Sequence, residues 1–364
     1  MSDTHLGALP KLASPRIVDL FAGPGGLDVA AHWLGIESVG IEFDPAAIET
    51  RIAAQLPTQA GDVRHFGPSD FASYNVLTGG PPCQTFTVAG HGAGRRALDT
   101  VLDLVEKLGA GKFDEVDHQV QHFDDERTGL VLQPLLWALT APTPYEAIVM
   151  EQVPAVLPVW EAVAEVLEAH GYGVDTGILR TEEFGVPQTR RRAVLIARHG
   201  FPSQCVALPA PTHTKYQGKG RPPVFDDGVA QWETMGSALP HLAPFTVVSN
   251  YGTGGDARAR GRRTSDLPAF TVTGKVSRNK VFLADGTETR FTMNEAGRLQ
   301  TFPIDYPWSG GDISQQVGNA VPPRLGVHVL SAVLGISDVD RDAAINEVEF
   351  GWSTRSSEAM AEAV

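Results

Sequence analysis

A thiol, a carboxylate and two guanidinium groups each border a short apolar run in this 364-residue chain. Cys83 follows Asn75-Val76-Leu77 through the turn Thr78-Gly79-Gly80-Pro81-Pro82. Two prolines hold their φ angles and remove two backbone donors, while the preceding glycines let the chain bend or approach a ligand, so the thiol is presented on a stiff support like a nucleophile. A lone cysteine often packs as a small hydrophobe, so its role depends on its companions. Glu151 ends the run Ala147-Ile148-Val149-Met150, and a carboxylate at the carboxyl tip of a parallel strand lies where such sheets bind ligands. Arg190 and Arg192 precede Ala193 to Ala197 in Gln188-Thr189-Arg190-Arg191-Arg192, and strand alternation predicts that both point the way Glu151 faces.

A second constellation suits a nucleoside. Arg16 to Phe21 reads as a buried strand, Ala22-Gly23-Pro24-Gly25-Gly26 as a glycine turn, and Leu27 to Leu34 as a helix closed by Gly35. The next strand, Ser38 to Ile41, ends at Glu42, and a helix over Pro45 to Leu56 has proline in its first turn. Glycines admit backbone amides to a ligand, and a carboxylate at the second strand tip can accept from a ribose diol. Pro24 takes an amide out of the turn, which disfavours a pyrophosphate and favours a cofactor such as S-adenosylmethionine. Asp62 in Gly61-Asp62-Val63 is a third acidic tip, able to meet an adenine amino group or to cap a helix.

The elements that must position these groups alternate strand and helix. Helices are predicted over Leu130 to Leu139, Pro158 to His170 and Pro322 to Leu334, with strands at Ala147 to Met150, Tyr172 to Leu179 and Ala193 to Ala197. The expected fold is α/β, a doubly wound mixed sheet with a second, smaller domain. A glycine-rich loop follows Cys83. Asp99 to Glu126 then carries nine Asp or Glu against two Lys, with Val101, Leu102, Leu104, Val105 and Leu108 at amphipathic spacing, and reads as an acidic insertion.

Composition excludes several classes. Apolar residues at 42% and charged residues at 20% are globular values, and two cysteines in unrelated contexts make no disulfide framework. No run is long enough to span a bilayer, the start is not a secretion signal, and no metal is called for, so the expectation is a cytoplasmic protein. The net charge of -14 hides an asymmetry: Arg180 to Arg298 holds 17 Lys plus Arg against 10 Asp plus Glu, or +7, leaving -21 elsewhere. The densest part, Arg258-Ala259-Arg260-Gly261-Arg262-Arg263 followed by Lys275, suits a nucleic-acid-facing lobe.

Six motifs stand in the order found in DNA cytosine-5 methyltransferases: Asp19 to Leu27, Gly80-Pro81-Pro82-Cys83-Gln84, Glu151-Gln152-Val153, Gln188 to Arg192, Arg298-Leu299-Gln300-Thr301-Phe302-Pro303 and Gln316-Val317-Gly318-Asn319-Ala320-Val321-Pro322. The chain resembles that family from about Arg16 to Leu334. The resemblance implies an S-adenosylmethionine-dependent methyltransferase fold with a target-recognition domain, acting on duplex DNA. It implies that Cys83 attacks carbon 6 of a flipped-out cytosine, Glu151 bonds ring nitrogen 3 and the exocyclic amine, Arg192 bonds the base carbonyl and Arg190 supports Glu151 and the loop. It further implies a cofactor pocket of Phe21, Gly23, Gly25, Leu27, Glu42, Asp62, Pro82 and Asn319; DNA contacts are expected from Gln84 and Arg127 near the loop and, on charge density, from Arg258, Arg260, Arg262, Arg263 and Lys275.

On this reading residues 14–198 form the catalytic domain, with the acidic insertion at about 97–123. Residues 199–290 recognise the target, 291–336 return to the catalytic domain and 337–364 are a tail. The protein is expected to be a monomer of prokaryotic or phage origin, able to partner a cognate restriction endonuclease. Gln152 replaces the family's asparagine and is one methylene longer, so the loop must shift for the same bonds to form. RNA as the substrate, or a non-catalytic DNA-binding relative, are the alternatives left open.

Overall fold

Uninterrupted apolar runs become strands buried on both faces, as a parallel sheet sandwiched by helices requires. The computed structural model describes residues 9–82, 93–121, 123, 126–218, 228–250, 260–347 and 351–352. The main sheet contains β1 (Arg16–Leu20), β2 (Glu37–Glu42), β3 (Thr58–Ala60), β4 (Val76–Gly79), β5 (Ala147–Gln152), β6 (Tyr172–Arg180) and β7 (Arg191–His199). Their spatial order is β3-β2-β1-β4-β5-β7-β6. β7 runs antiparallel to both β5 and β6, and the other pairings are parallel. The chain reverses its direction across the sheet between β1 and β4, so the loops leaving these strands part there and open a crevice.

Helices cover both faces. The helices preceding the smaller lobe are α1 (Gly26–Trp33), α2 (Pro45–Ala53), α3 (Ala93–Gly109), α4 (Phe113–Val120), α5 (Gln133–Thr140) and α6 (Leu157–Ala169). On one face α3, α5 and α6 bury Leu104, Trp137 and Trp160. The stretch expected as an acidic insertion is thus built into the core: its apolar residues Val101, Leu104, Val105 and Leu108 are buried while its acids remain on the other side of the helix.

A smaller lobe has a four-stranded antiparallel sheet ordered β11-β10-β8-β9, from β8 (Phe245–Val248), β9 (Arg262–Thr264), β10 (Lys280–Leu283) and β11 (Glu288–Thr289). After the one-turn α7 (Met235–Ala238) come α8 (Met293–Leu299), α9 (Ile313–Asn319), α10 (Pro323–Leu334) and α11 (Asp338–Glu347). The lobe's core extends beyond residue 290, because Phe291, Ala296, Leu299 and Val317 pack with Phe245, Val247 and Val281. The chain rejoins the main core through α10, whose Val327, Leu330 and Val333 pack with Val29 and Ala30 of α1. Residues expected as a tail also belong there: Ala344 and Ile345 of α11 are buried, and Trp352 donates its indole N–H to the Ala54 carbonyl at 3.2 Å. Among the described residues, no helix is long and apolar enough to cross a membrane.

A buried polar seam joins the lobes. Gln188 donates to the Leu299 carbonyl at 2.9 Å and to Gln300 Oε1 at 2.6 Å, and accepts from Val272 N–H at 2.9 Å. Gln300 in turn donates to the Val317 carbonyl at 2.7 Å. Satisfied buried amides of this kind set one relative placement of the packed segments, because each displaced partner would leave a polar group without water.

Candidate active site

The loops at the carboxyl ends of β1, β2, β4 and β5 enclose a cavity of about 580 Å³. Phe21, Gly23, Leu27, Glu42, Asp62, Pro82, Glu151, Arg192 and Asn319 all line it, so residues far apart in sequence meet in one chamber.

Its nucleoside half is built by the glycine turn. Gly23 takes φ +56°, which brings its amide to 2.6 Å from Glu42 Oε2. Glu42 Oε1 accepts from Phe43 N–H at 2.8 Å and Asp44 N–H at 2.7 Å, leaving about one of the carboxylate's four acceptor positions for a ligand hydroxyl. The turn is braced from behind by Tyr306, whose hydroxyl donates to the Pro24 carbonyl at 2.6 Å. Asp62 is a helix cap as well as a cavity residue: it accepts from Arg64 N–H at 2.9 Å and pairs with the Arg64 side chain at 2.6 Å. The Arg64 side-chain hydrogen bond holds the Asp62 carboxyl below its usual range.

The reactive half is built by neighbouring strands. Glu151 and Arg192 extend from β5 and β7, and Arg192 Nε lies 2.6 Å from Glu151 Oε1 with both side chains largely buried. Gln152 donates its amide to the Pro81 carbonyl and accepts from Val153 N–H. Its extra methylene therefore spans from the end of β5 to the double-proline turn. Cys83, Gln84 and Arg258 lie outside the described residues.

The family model for C-5 cytosine-specific DNA methylases matches residues 15–105 and 119–226, more than half of the chain. The chain belongs to this family. It is 29% identical over 352 residues to the type II methyltransferase M1.HphI of Haemophilus parahaemolyticus, covering 87% of this chain and 86% of that one. It is 28% identical to M.AplI of Arthrospira platensis, covering 87% and 85%. In fold it resembles the Dnmt2 methyltransferase of S. pombe, with a TM-score of 0.57, 17% identity and coverage of 88% and 98%. The Entamoeba histolytica methyltransferase EhMeth gives 0.57 and 12%, covering 89% and 99%. As a DNA (cytosine-5-)-methyltransferase, the chain departs from the family match only at residues 106–118 within the span from 15 to 226, in the end of α3 and most of α4.

Three residues of this methylase make contacts that their motifs do not predict. Arg190 hydrogen-bonds backbone carbonyls and not Glu151, although the Glu151 charge is close enough to act on its guanidinium. It precedes β7, where its backbone bonds Thr181 instead of following the β5 ladder, and its guanidinium is buried in the interlobe seam. There Nη1 donates to the carbonyls of Val272 at 2.8 Å and Gly318 at 3.0 Å, and Nη2 to that of Ala320 at 3.3 Å; burial pushes its pKa well down. Gly25 serves packing, since a Cβ there would lie 2.3 Å from Leu56 Cδ1 and the residue takes φ +102°. Arg263 is not available to phosphate: it lies between the Tyr216 and Phe270 rings at 4.9 and 4.3 Å and donates to Thr189 Oγ1 and the Pro268 and Ala269 carbonyls.

Arg262 and Lys275 are exposed, Arg260 is half-buried, and exposed Arg127 lines the cavity. Sequence reasoning missed Phe43, a cavity residue 70% exposed directly after Glu42, although a large aromatic at a strand tip was a usable signal. It also missed Arg64, whose partner is decided by a turn, and Asp19, whose carboxyl is buried beside Thr78.

Proposed function

We propose that this methylase transfers a methyl group from S-adenosylmethionine to carbon 5 of a flipped-out cytosine in a specific duplex DNA sequence, through a covalent bond from Cys83 to carbon 6. The observation that carries the reading is the shared cavity: the Gly23–Glu42 turn and the Glu151–Arg192 pair open into one chamber, so a donor and a base can meet without crossing protein. The volume suits a nucleoside-sized ligand.

The residues present fit the cofactor. Glu42 would accept from the ribose, Asp62 would accept from the adenine amine, and Phe43 offers an aromatic face beside Glu42. Asn319, whose Oδ1 accepts from Gln315 at 2.7 Å, would bind the methionine end. Bound there, S-adenosylmethionine would supply an electrophilic methyl group on a sulfonium.

Cytosine carbon 5 is a weak nucleophile until a thiolate adds at carbon 6. Cys83 would make that bond, Glu151 in its protonated form would donate to ring nitrogen 3 and accept from the exocyclic amine, and Arg192 would donate to the carbonyl oxygen, the two exchanging their mutual contact for the base. Carbon 5 then takes the methyl, a base removes its proton, and the sulfur–carbon 6 bond breaks to release the thiolate. A target base inside a duplex is out of reach, so flipping is required. Exposed Arg262 and Lys275 would meet phosphates, with a cognate restriction endonuclease as the companion activity.

The test is a covalent adduct between the full chain and duplex DNA containing 5-fluorocytosine, with S-adenosylmethionine present. An adduct resistant to denaturation and absent in Cys83→Ser is expected. Methyl incorporation into RNA but not duplex DNA would overturn the substrate assignment.

A further inference from the structure

The two carboxylates at the nucleoside end of the cavity are held differently. Glu42 is held by backbone amides, whereas Asp62 is gripped by a side chain two residues on. Arg64 donates Nε to Oδ1 at 3.0 Å and to Oδ2 at 3.1 Å, and Nη2 to Oδ2 at 2.6 Å, while its backbone N–H bonds Oδ1 at 2.9 Å. Both residues line the cavity. A carboxylate offers about four acceptor positions, and three Arg64 N–H groups, one of them shared between the two oxygens, fill about three, so about one position remains for a ligand. A planar fork of this kind also fixes the plane of the carboxylate, which a lone aspartate at a strand tip could rotate.

We infer that Arg64 is a specificity-determining residue of the cofactor pocket: by locking Asp62 as an acceptor for one N–H, it selects a purine that carries an exocyclic amine over one that carries a carbonyl oxygen there. The inference rests on the cofactor reading above. A carbonyl placed against Asp62 sets two acceptors against each other, and a locked carboxylate cannot turn aside to relieve them. An unlocked one can. Losing Arg64 should therefore erode discrimination between the two purines, whereas an arginine that only stabilised the turn would weaken both ligands by the same factor.

The experiment is calorimetric titration of the full chain with S-adenosylhomocysteine and with S-inosylhomocysteine, for wild type, Arg64→Ala and Arg64→Lys. The adenosyl ligand should bind wild type more tightly than the inosyl ligand, and Arg64→Ala should shrink that ratio about tenfold, the worth of one charge-assisted hydrogen bond. Arg64→Lys, a point charge without the fork, should restore only part of the ratio. An unchanged ratio in Arg64→Ala, with S-adenosylhomocysteine still bound, would overturn the role of Arg64 and leave the cofactor reading standing. Failure of wild type to bind S-adenosylhomocysteine would remove both.

Discussion

Arg192 Nε stands 2.6 Å from Glu151 Oε1 across the antiparallel pair β5 and β7, each side chain only about a tenth exposed. Register creates this contact, since Glu151 lies opposite Val194 and Arg192 two residues earlier on the same face. Two opposite charges so enclosed are held for an incoming polar group at little reorganisation. Arg192→Ala should lower the single-turnover methylation rate by about 10²-fold or more, the scale of one positioned polar catalyst. Rapid-quench assays on duplex DNA would measure it, and a rate within twofold of wild type would separate the pair from the reaction.

Gln152 ties the end of β5 to the Pro81 carbonyl, next to the turn that leads to Cys83. Removing that tie in Gln152→Ala should slow adduct formation with 5-fluorocytosine DNA about tenfold, one net hydrogen bond's worth of positioning. Cofactor affinity should change less, because on the proposed reading the ribose is bound by Glu42 and not by Gln152. A loss confined to cofactor affinity would show that the residue acts on the other half of the cavity.

The basic residues of the smaller lobe should separate into two groups. Arg262→Ala and Lys275→Ala remove exposed charges, and each should reduce the slope of log K against log salt by about 1 if it neutralises a phosphate. Arg263→Ala instead removes two ring contacts and three hydrogen bonds from a half-buried site, which should cost about 2 kcal/mol of stability. Filter binding across salt concentrations and thermal melts distinguish the groups; a melting point unchanged in Arg263→Ala would contradict the assignment.

Asp19 provides a pH signature. Burial first, then the charge of Asp28, push its carboxyl up to about 8, while the unfolded chain ionises near the ordinary 3.8. Between these values the folded protein keeps a proton that the unfolded chain has lost, so this group makes stability decline as pH rises from about 4 to about 8 and level off above. Asp19→Asn keeps the Oδ1 that accepts from Thr78 and removes the titration. Its melting point should gain more over wild type at pH 8 than at pH 5. Equal gains at both would show that Asp19 does not titrate in this window.

Turns and strand tips are local chemistry, and for that reason they were legible in the chain itself. Apolar runs of four to six residues became β1, β4 and β5, the glycine turn became the bend that carries Gly23 to Glu42, and Pro45 opened α2 as its fixed φ favours. The tips of parallel strands share one end of a sheet, which is why Glu42, Pro82 and Glu151 were already assignable to one crevice.

What only the tertiary structure decided is where long side chains end. Alternation gave Arg190 and Arg192 one direction, but it holds only inside a ladder; Arg190 lies outside it and bonds one carbonyl of the smaller lobe and two of the returning chain, while Arg192 keeps its contact with Glu151. Arg263 looked like a phosphate ligand beside Arg262 until Tyr216 and Phe270 closed around it. The acidic stretch likewise showed its charges and its amphipathic spacing in sequence, but that its apolar face joins the core against α6 was decided by packing. Backbone motifs specify conformation within a few residues, whereas the partner of a flexible charged side chain depends on segments that arrive from a hundred residues away.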